Sequence, residues 1–100
     1  MTQQLPAETY EKIVALCRKY RIRELSLFGS RVRGDFTDES DFDFLVEFSP
    51  DANIDLFEFS RIQIDHEEMV GKKVDLVPKK GLKWVIRDTV LSEAEIIYAE

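Results

Sequence analysis

A single cysteine, a single histidine and no excess of positive charge remove several classes of function from this chain at the outset. Cys17 has no partner for an internal disulfide. His66 stands alone, and Cys17 falls on an apolar stripe, so neither a Ser-His nor a Cys-His pair is on hand for nucleophilic catalysis. With 14 basic residues against 20 acidic ones the net charge is −6, which argues against general affinity for duplex DNA, whose phosphates require a basic surface. No apolar run approaches the ~18 residues of a membrane helix. The opening residues carry neither the basic region nor the apolar core of a signal peptide. The expectation is a cytoplasmic protein without membrane association.

What is present is globular. Hydrophobic residues make up 44% of the chain and aromatics 11%, too much for disorder, and 100 residues suit one domain with one core. No internal repeat, linker or low-complexity tract divides it. Residues 7–20 predict a helix, with Tyr10, Ile13, Val14, Cys17 and Tyr20 recurring at three- and four-residue steps. Residues 24–28 alternate as a strand broken by Gly29 and Ser30, and a short turn or helix leads to Gly34. After a polar loop over 35–40, residues 41–48 form a second strand with Phe42, Phe44, Val46 and Phe48 on one face and Asp41 and Asp43 on the other.

Residues 55–70 predict a helix with Leu56, Phe59, Ile62, His66, Met69 and Val70 on its stripe and Gly71 as its stop. A third strand follows over 73–77, ended by Pro78. Leu82, Val85, Ile86, Thr89 and Val90 fit the inward face of a last helix, and residues 95–98 either prolong it or form a short strand, the strand being favoured by Ile96, Ile97 and Tyr98. Trp84 and Leu91 lie off that stripe, either buried under a neighbouring element or exposed for assembly.

Three acids stand where a strand normally prefers other residues: Asp41, Asp43 and Asp75. Residues two apart on a strand point the same way with Cα atoms roughly 6.6 Å apart, and two bare charges at that range repel by about 3 kcal/mol at an effective dielectric of 20. A cation removes the penalty. Oxygen-only ligands select a hard ion, and one or two carboxylates completed by water and substrate phosphates is the usual way to hold Mg²⁺. If the third strand pairs beside the second, Asp75 reaches the same place. The alternative for Asp41 and Asp43 is a solvated sheet edge. Just upstream, Gly29 and Ser30 end the first strand with free backbone N–H groups and a hydroxyl beside Arg31 and Arg33, a corner suited to phosphate. A helix cap at Ser30 is the structural alternative.

Charge is segregated to match. Arg18, Lys19, Arg21, Arg23, Arg31 and Arg33 precede Asp35, Asp38, Glu39, Asp41 and Asp43, so anion and metal sites are expected side by side. By contrast Asp65, His66, Glu67 and Glu68 occupy consecutive helical positions, which spread around the axis and do not converge on a metal. Lys79, Lys80 and Lys83 flank a turn, either solvated or against a partner or nucleotide.

Together, Gly29-Ser30-Arg31-Val32-Arg33-Gly34, then Ser40-Asp41-Phe42-Asp43-Phe44-Leu45-Val46, then Val74-Asp75-Leu76-Val77, form a pattern that resembles the signature of the minimal nucleotidyltransferases of the DNA polymerase beta superfamily. Leu27-Phe28 and Ile86-Arg87-Asp88 add to the likeness, which spans nearly the whole chain. Phe42 and Phe44 depart from it, standing where the family commonly has aliphatic residues, a matter of packing more than of chemistry. The resemblance implies an α/β fold, a mixed sheet flanked by helices, that uses one or two Mg²⁺ ions and a nucleoside triphosphate, usually ATP, to move a nucleoside monophosphate onto a hydroxyl. It implies Gly29 and Ser30 at the β- and γ-phosphates, with Arg31 and Arg33 touching phosphate, a partner or the neighbouring acids. Asp41 and Asp43 would hold the metal, and Asp75 would bind metal or take the proton of the attacking hydroxyl. It further implies an antitoxin that transfers AMP to a tyrosine of a partner HEPN toxin, the brevity of the chain leaving another protein to supply the acceptor. A binding-only antitoxin and a small-molecule nucleotidyltransferase are the alternatives.

Overall fold

The computed structural model describes residues 5–34 and 41–100, with only the backbone of Ser30 and Arg33; the loop expected over 35–40 lies outside the described residues. Helix α1 (Ala7–Lys19) carries Glu8 in its first turn and Arg18 and Lys19 in its last, charges that complement the helix dipole. Strand β1 (Ile22–Phe28) leads into the one-turn helix α2 (Ser30–Arg33). Strand β2 (Phe42–Phe48) is followed by helix α3 (Leu56–Val70), capped at its start by Asp55, whose carboxylate accepts from the Glu58 N–H at 2.8 Å, and closed by Gly71 in the left-handed region. Strand β3 (Val74–Pro78), a 3₁₀ turn at Lys79–Gly81, helix α4 (Trp84–Glu93) and strand β4 (Glu95–Ala99) complete the order. The last segment is therefore a strand.

The sheet runs β3-β2-β1-β4, with β1 antiparallel to both β2 and β4 and β2 parallel to β3. The mixed α/β architecture expected from the sequence is the one found. Helices α1 and α3 pack on one another and on the sheet. Ile13 and Cys17 from α1, and Ile62 and His66 from α3, meet Leu25, Leu27, Phe42, Phe44, Val46, Val74, Leu76 and Ile97 in a single core. Phe42 and Phe44 both point inward, with ring centroids 6.0 Å apart. Burial pushes the Cys17 thiol up to about 12, which keeps it a small inert hydrophobe.

His66 is fully buried, edge-on to Phe44 at 5.7 Å. Its Nδ1 donates to the Ile62 carbonyl at 2.9 Å, and Nε2 has no partner among the described residues. Burial holds its pKa below 6.5, outweighing the Ile62 hydrogen bond and the Asp65 charge, which act the other way. The unfolded chain therefore binds a proton below ~6.5 that the folded chain refuses, so stability is complete above that pH and is lost on acidification. A His66→Leu variant should have a melting temperature less sensitive to pH between about 7 and 5 than the parent, the differential approaching ~1.4 kcal/mol per pH unit. Thermal melts at matched ionic strength read it; identical pH slopes would count against a neutral buried imidazole.

Two apolar expectations are corrected. Helix α4 forms, but none of its residues is buried: Val85 and Ile86, expected inward, are exposed, and Trp84 is 85% exposed. Leu56, expected on the α3 stripe, is likewise exposed, as is Phe57. In both cases the periodicity is real, but along that part of its length the helix face stays exposed.

Candidate active site

Because β1 and β2 run in opposite directions, the end of one meets the start of the other: Phe28 is paired with Asp43. Gly29 comes next, at φ 80°, a conformation that side chains resist. A Cβ placed there would lie 3.2 Å from the Asp43 carboxyl carbon and nearer still to Oδ2. Glycine is thus required twice, for its backbone angle and because the Asp43 carboxylate packs on it. On the other side of β2, Asp43 is in register with Asp75 of β3. Adjacent strands lie ~4.8 Å apart, so Phe28, Asp43 and Asp75 form one short row across three strands, with Gly29 directly after Phe28 and against the Asp43 carboxylate.

Side-chain alternation places that row opposite the helices. Val74 and Leu76 are buried while Asp75 between them is exposed, and Phe42 and Phe44 are buried while Asp43 between them is half-exposed. Asp41 is exposed and lies just before β2 rather than within it, a correction to the strand start expected at residue 41. The start of β2 is nonetheless fixed, since the Phe42 N–H donates to the Lys73 carbonyl at 2.9 Å.

β3 is an edge strand, and two side chains of α3 occupy its outer N–H groups. Glu67 accepts from Val74 at 3.0 Å and Gln63 from Leu76 at 3.4 Å, one on either side of Asp75. These positioning residues were missed from sequence; their signal was a polar pair four apart next to the buried Ile62 and His66. Glu67 belongs to the acidic run at 65–68, which diverges as expected: Asp65 accepts from the Tyr20 hydroxyl, and His66 is in the core.

Arg31 turns inward. It is 7% exposed, with its guanidinium carbon 4.0 Å from the centroid of the Phe42 ring. The remaining basic stretch does not gather here. Arg18 and Lys19 end α1, Arg21 pairs with Asp51 at 3.3 Å, and Arg23 stands at the start of β1, the far end from Gly29. The expected neighbourhood of basic and acidic stretches thus reduces to α2 beside the Asp43 row, with Asp35, Asp38 and Glu39 outside the described residues. Lys79 pairs with Glu24 at 3.2 Å. A cavity of about 440 Å³, lined by Arg23, Phe48, Ile54, Phe59 and Lys80 among others, lies at the opposite end of β2, and none of the three aspartates lines it.

The donor set suits a hard divalent ion. Among the described residues no three Asp, Glu, His or Cys side chains are gathered closely enough to hold a metal, so the aspartates offer an open row and not a closed cage. One or two carboxylates with the other positions left to water and phosphate oxygens is the ordinary Mg²⁺ arrangement. Asp43 and Asp75, in register on neighbouring strands, are carboxylates of that type.

The sequence model of the nucleotidyltransferase domain family matches residues 11–97. Protein adenylyltransferase MntA of Thermococcus cleftensis is 40% identical over 78 residues, covering 78% of this chain and 77% of that protein. The backbone superposes on a chain of a toxin-antitoxin crystal structure with AMP-PNP at a TM-score of 0.74 and 22% identity, covering 91% of this chain and 73% of that one. It also superposes on a chain of the tri-AMPylated Shewanella oneidensis HEPN toxin in complex with MNT antitoxin, at a TM-score of 0.67 and 19% identity, covering 93% and 71%. At those identities the structural likenesses establish a shared fold. No helix among the described residues is long and apolar enough to cross a membrane.

Proposed function

The chain belongs to the nucleotidyltransferase domain family, and from that premise we propose that it moves AMP from ATP to a tyrosine hydroxyl of a HEPN toxin in the cytoplasm, as the antitoxin of the pair. The observation that carries this reading is Asp43 in register with Asp75 on the neighbouring strand and with its carboxylate against Gly29 at the end of β1. The named activity of the Thermococcus relative and the modified toxin in the Shewanella complex support the choice of AMP and of acceptor.

In this reading the backbone at Gly29 and Ser30 receives the β- and γ-phosphates, because a residue without a side chain lets them approach. Asp41 and Asp43 would hold Mg²⁺, which when bound would neutralise phosphate charge. The acceptor oxygen forms a bond to the α-phosphorus, the bond from that phosphorus to the bridging oxygen breaks, and pyrophosphate leaves. Asp75, exposed and beside Asp43, takes the hydroxyl proton. Asp41 and Asp75 are exposed, which leaves room for a side chain presented by another protein.

The test is ATP labelled at either the α- or the γ-phosphate, mixed with the chain, Mg²⁺ and the product of the neighbouring gene as the candidate HEPN partner. Label from the α position should appear on the toxin and label from the γ position should leave as pyrophosphate. Transfer of the γ label would make the chain a kinase and overturn the reading.

A further inference from the structure

The inward turn of Arg31 separates it from the role its position in the motif suggests. A guanidinium meant for a triphosphate should face the open side of the sheet with Asp43; this one lies over Phe42, whose ring belongs to the core. Arg31 is in α2, directly after the glycine corner, whereas Phe42 is the first residue of β2 and the immediate neighbour of Asp41 and Asp43. The contact thus spans the two halves of the candidate site from behind.

The geometry points to Arg31 as a positioning residue: its guanidinium, stacked on Phe42, ties the glycine corner to the start of the carboxylate strand and so sets the distance between phosphate subsite and metal-binding acids. A buried cation on an aromatic face is worth more than an exposed one, and the planar guanidinium stacks where a flexible ammonium does not. Gly29 and the Asp43 carboxylate are already packed with no spare space, so slack between α2 and β2 is felt directly at that contact. The inference rests on the reading of this row as a Mg·ATP site.

Binding of Mg·ATP to the full chain, by calorimetry well below the melting temperature, tests it through a double-mutant cycle of Arg31→Met and Phe42→Leu. A positioning role predicts that each single variant weakens binding, by roughly tenfold, and that the double variant loses clearly less than the product of the two, because both disturb the Arg31–Phe42 contact. A merely structural role would lower the melting temperature and leave the affinity of the folded protein unchanged. Direct phosphate contact would make Arg31→Met costly, Phe42→Leu silent and the pair additive. Either pattern overturns the proposal. A second measurement needs no variant affinity: the Arg31 side-chain Nε proton should resonate upfield from the ring current of Phe42 and return to its usual position in Phe42→Leu, and an unshifted proton in the parent refutes the contact. Failure of the parent to bind Mg·ATP would refute the nucleotide site itself, whereas the proton shift judges the strut separately.

Discussion

Replacing Asp43 by asparagine lowers the rate of AMP transfer by roughly 10³-fold, the loss typical when a group facing developing charge is removed, while the folded state persists. Asp43 is the centre of the row, paired with Phe28 beside the glycine corner on one side and with Asp75 on the other. Asparagine keeps its size, so the contact with Gly29 and the sheet register survive. What is lost is the negative charge, and phosphoryl-type transfer depends on charge neutralisation and positioning far more than on covalent help. Steady-state rates on the partner protein, with thermal melts as control, provide the measurement. A loss below about tenfold would move the metal site elsewhere, since one pKa-scale increment of ~1.4 kcal/mol is all that such a change represents.

Gly29→Ala is expected to be damaging by a wholly steric route. At φ 80° an alanine carries ~1–2 kcal/mol of backbone strain, and its methyl would run into the Asp43 carboxylate. One of them must move, and Asp43 has Asp75 on its far side. Loss of transfer by about 100-fold, together with a drop in melting temperature, distinguishes this variant from Asp43→Asn, which spares stability. Gly34, also at positive φ, has no atom of the described residues within 4 Å of an added Cβ. Gly34→Ala should therefore lose stability by backbone strain of the same ~1–2 kcal/mol with activity retained in the folded fraction.

Much of this site was legible in the residues. Alternation around Phe42 and Phe44 put Asp43 on the face away from the core, and the break at Gly29 marked the end of β1. The pairing that makes a site of them was not: that Phe28 faces Asp43 and Asp43 faces Asp75 is set by strand order and register, which local periodicity does not encode. The Arg31 contact was hidden for a related reason. Its place beside Arg33 in the glycine turn marks a cation at a phosphate corner, and only the fold supplies the Phe42 ring beneath it. Gln63 and Glu67 look like surface residues until β3 becomes an edge whose outer N–H groups need acceptors. Helix α4 shows the converse limit, since an apolar stripe identifies a face and not what covers it, and Trp84 remains bare.

The central claim is that this chain acts as a catalyst on its partner, through the carboxylates flanking Gly29. The most direct measurement is labelling of the HEPN toxin from α-labelled ATP with the chain present at well below one molecule per toxin. Complete labelling by the parent, and none by a folded Asp41→Asn, Asp43→Asn double variant, is the predicted result. Silencing of the toxin only in proportion to the chain added, without label and equally by the double variant, would contradict it and leave a binding-only antitoxin.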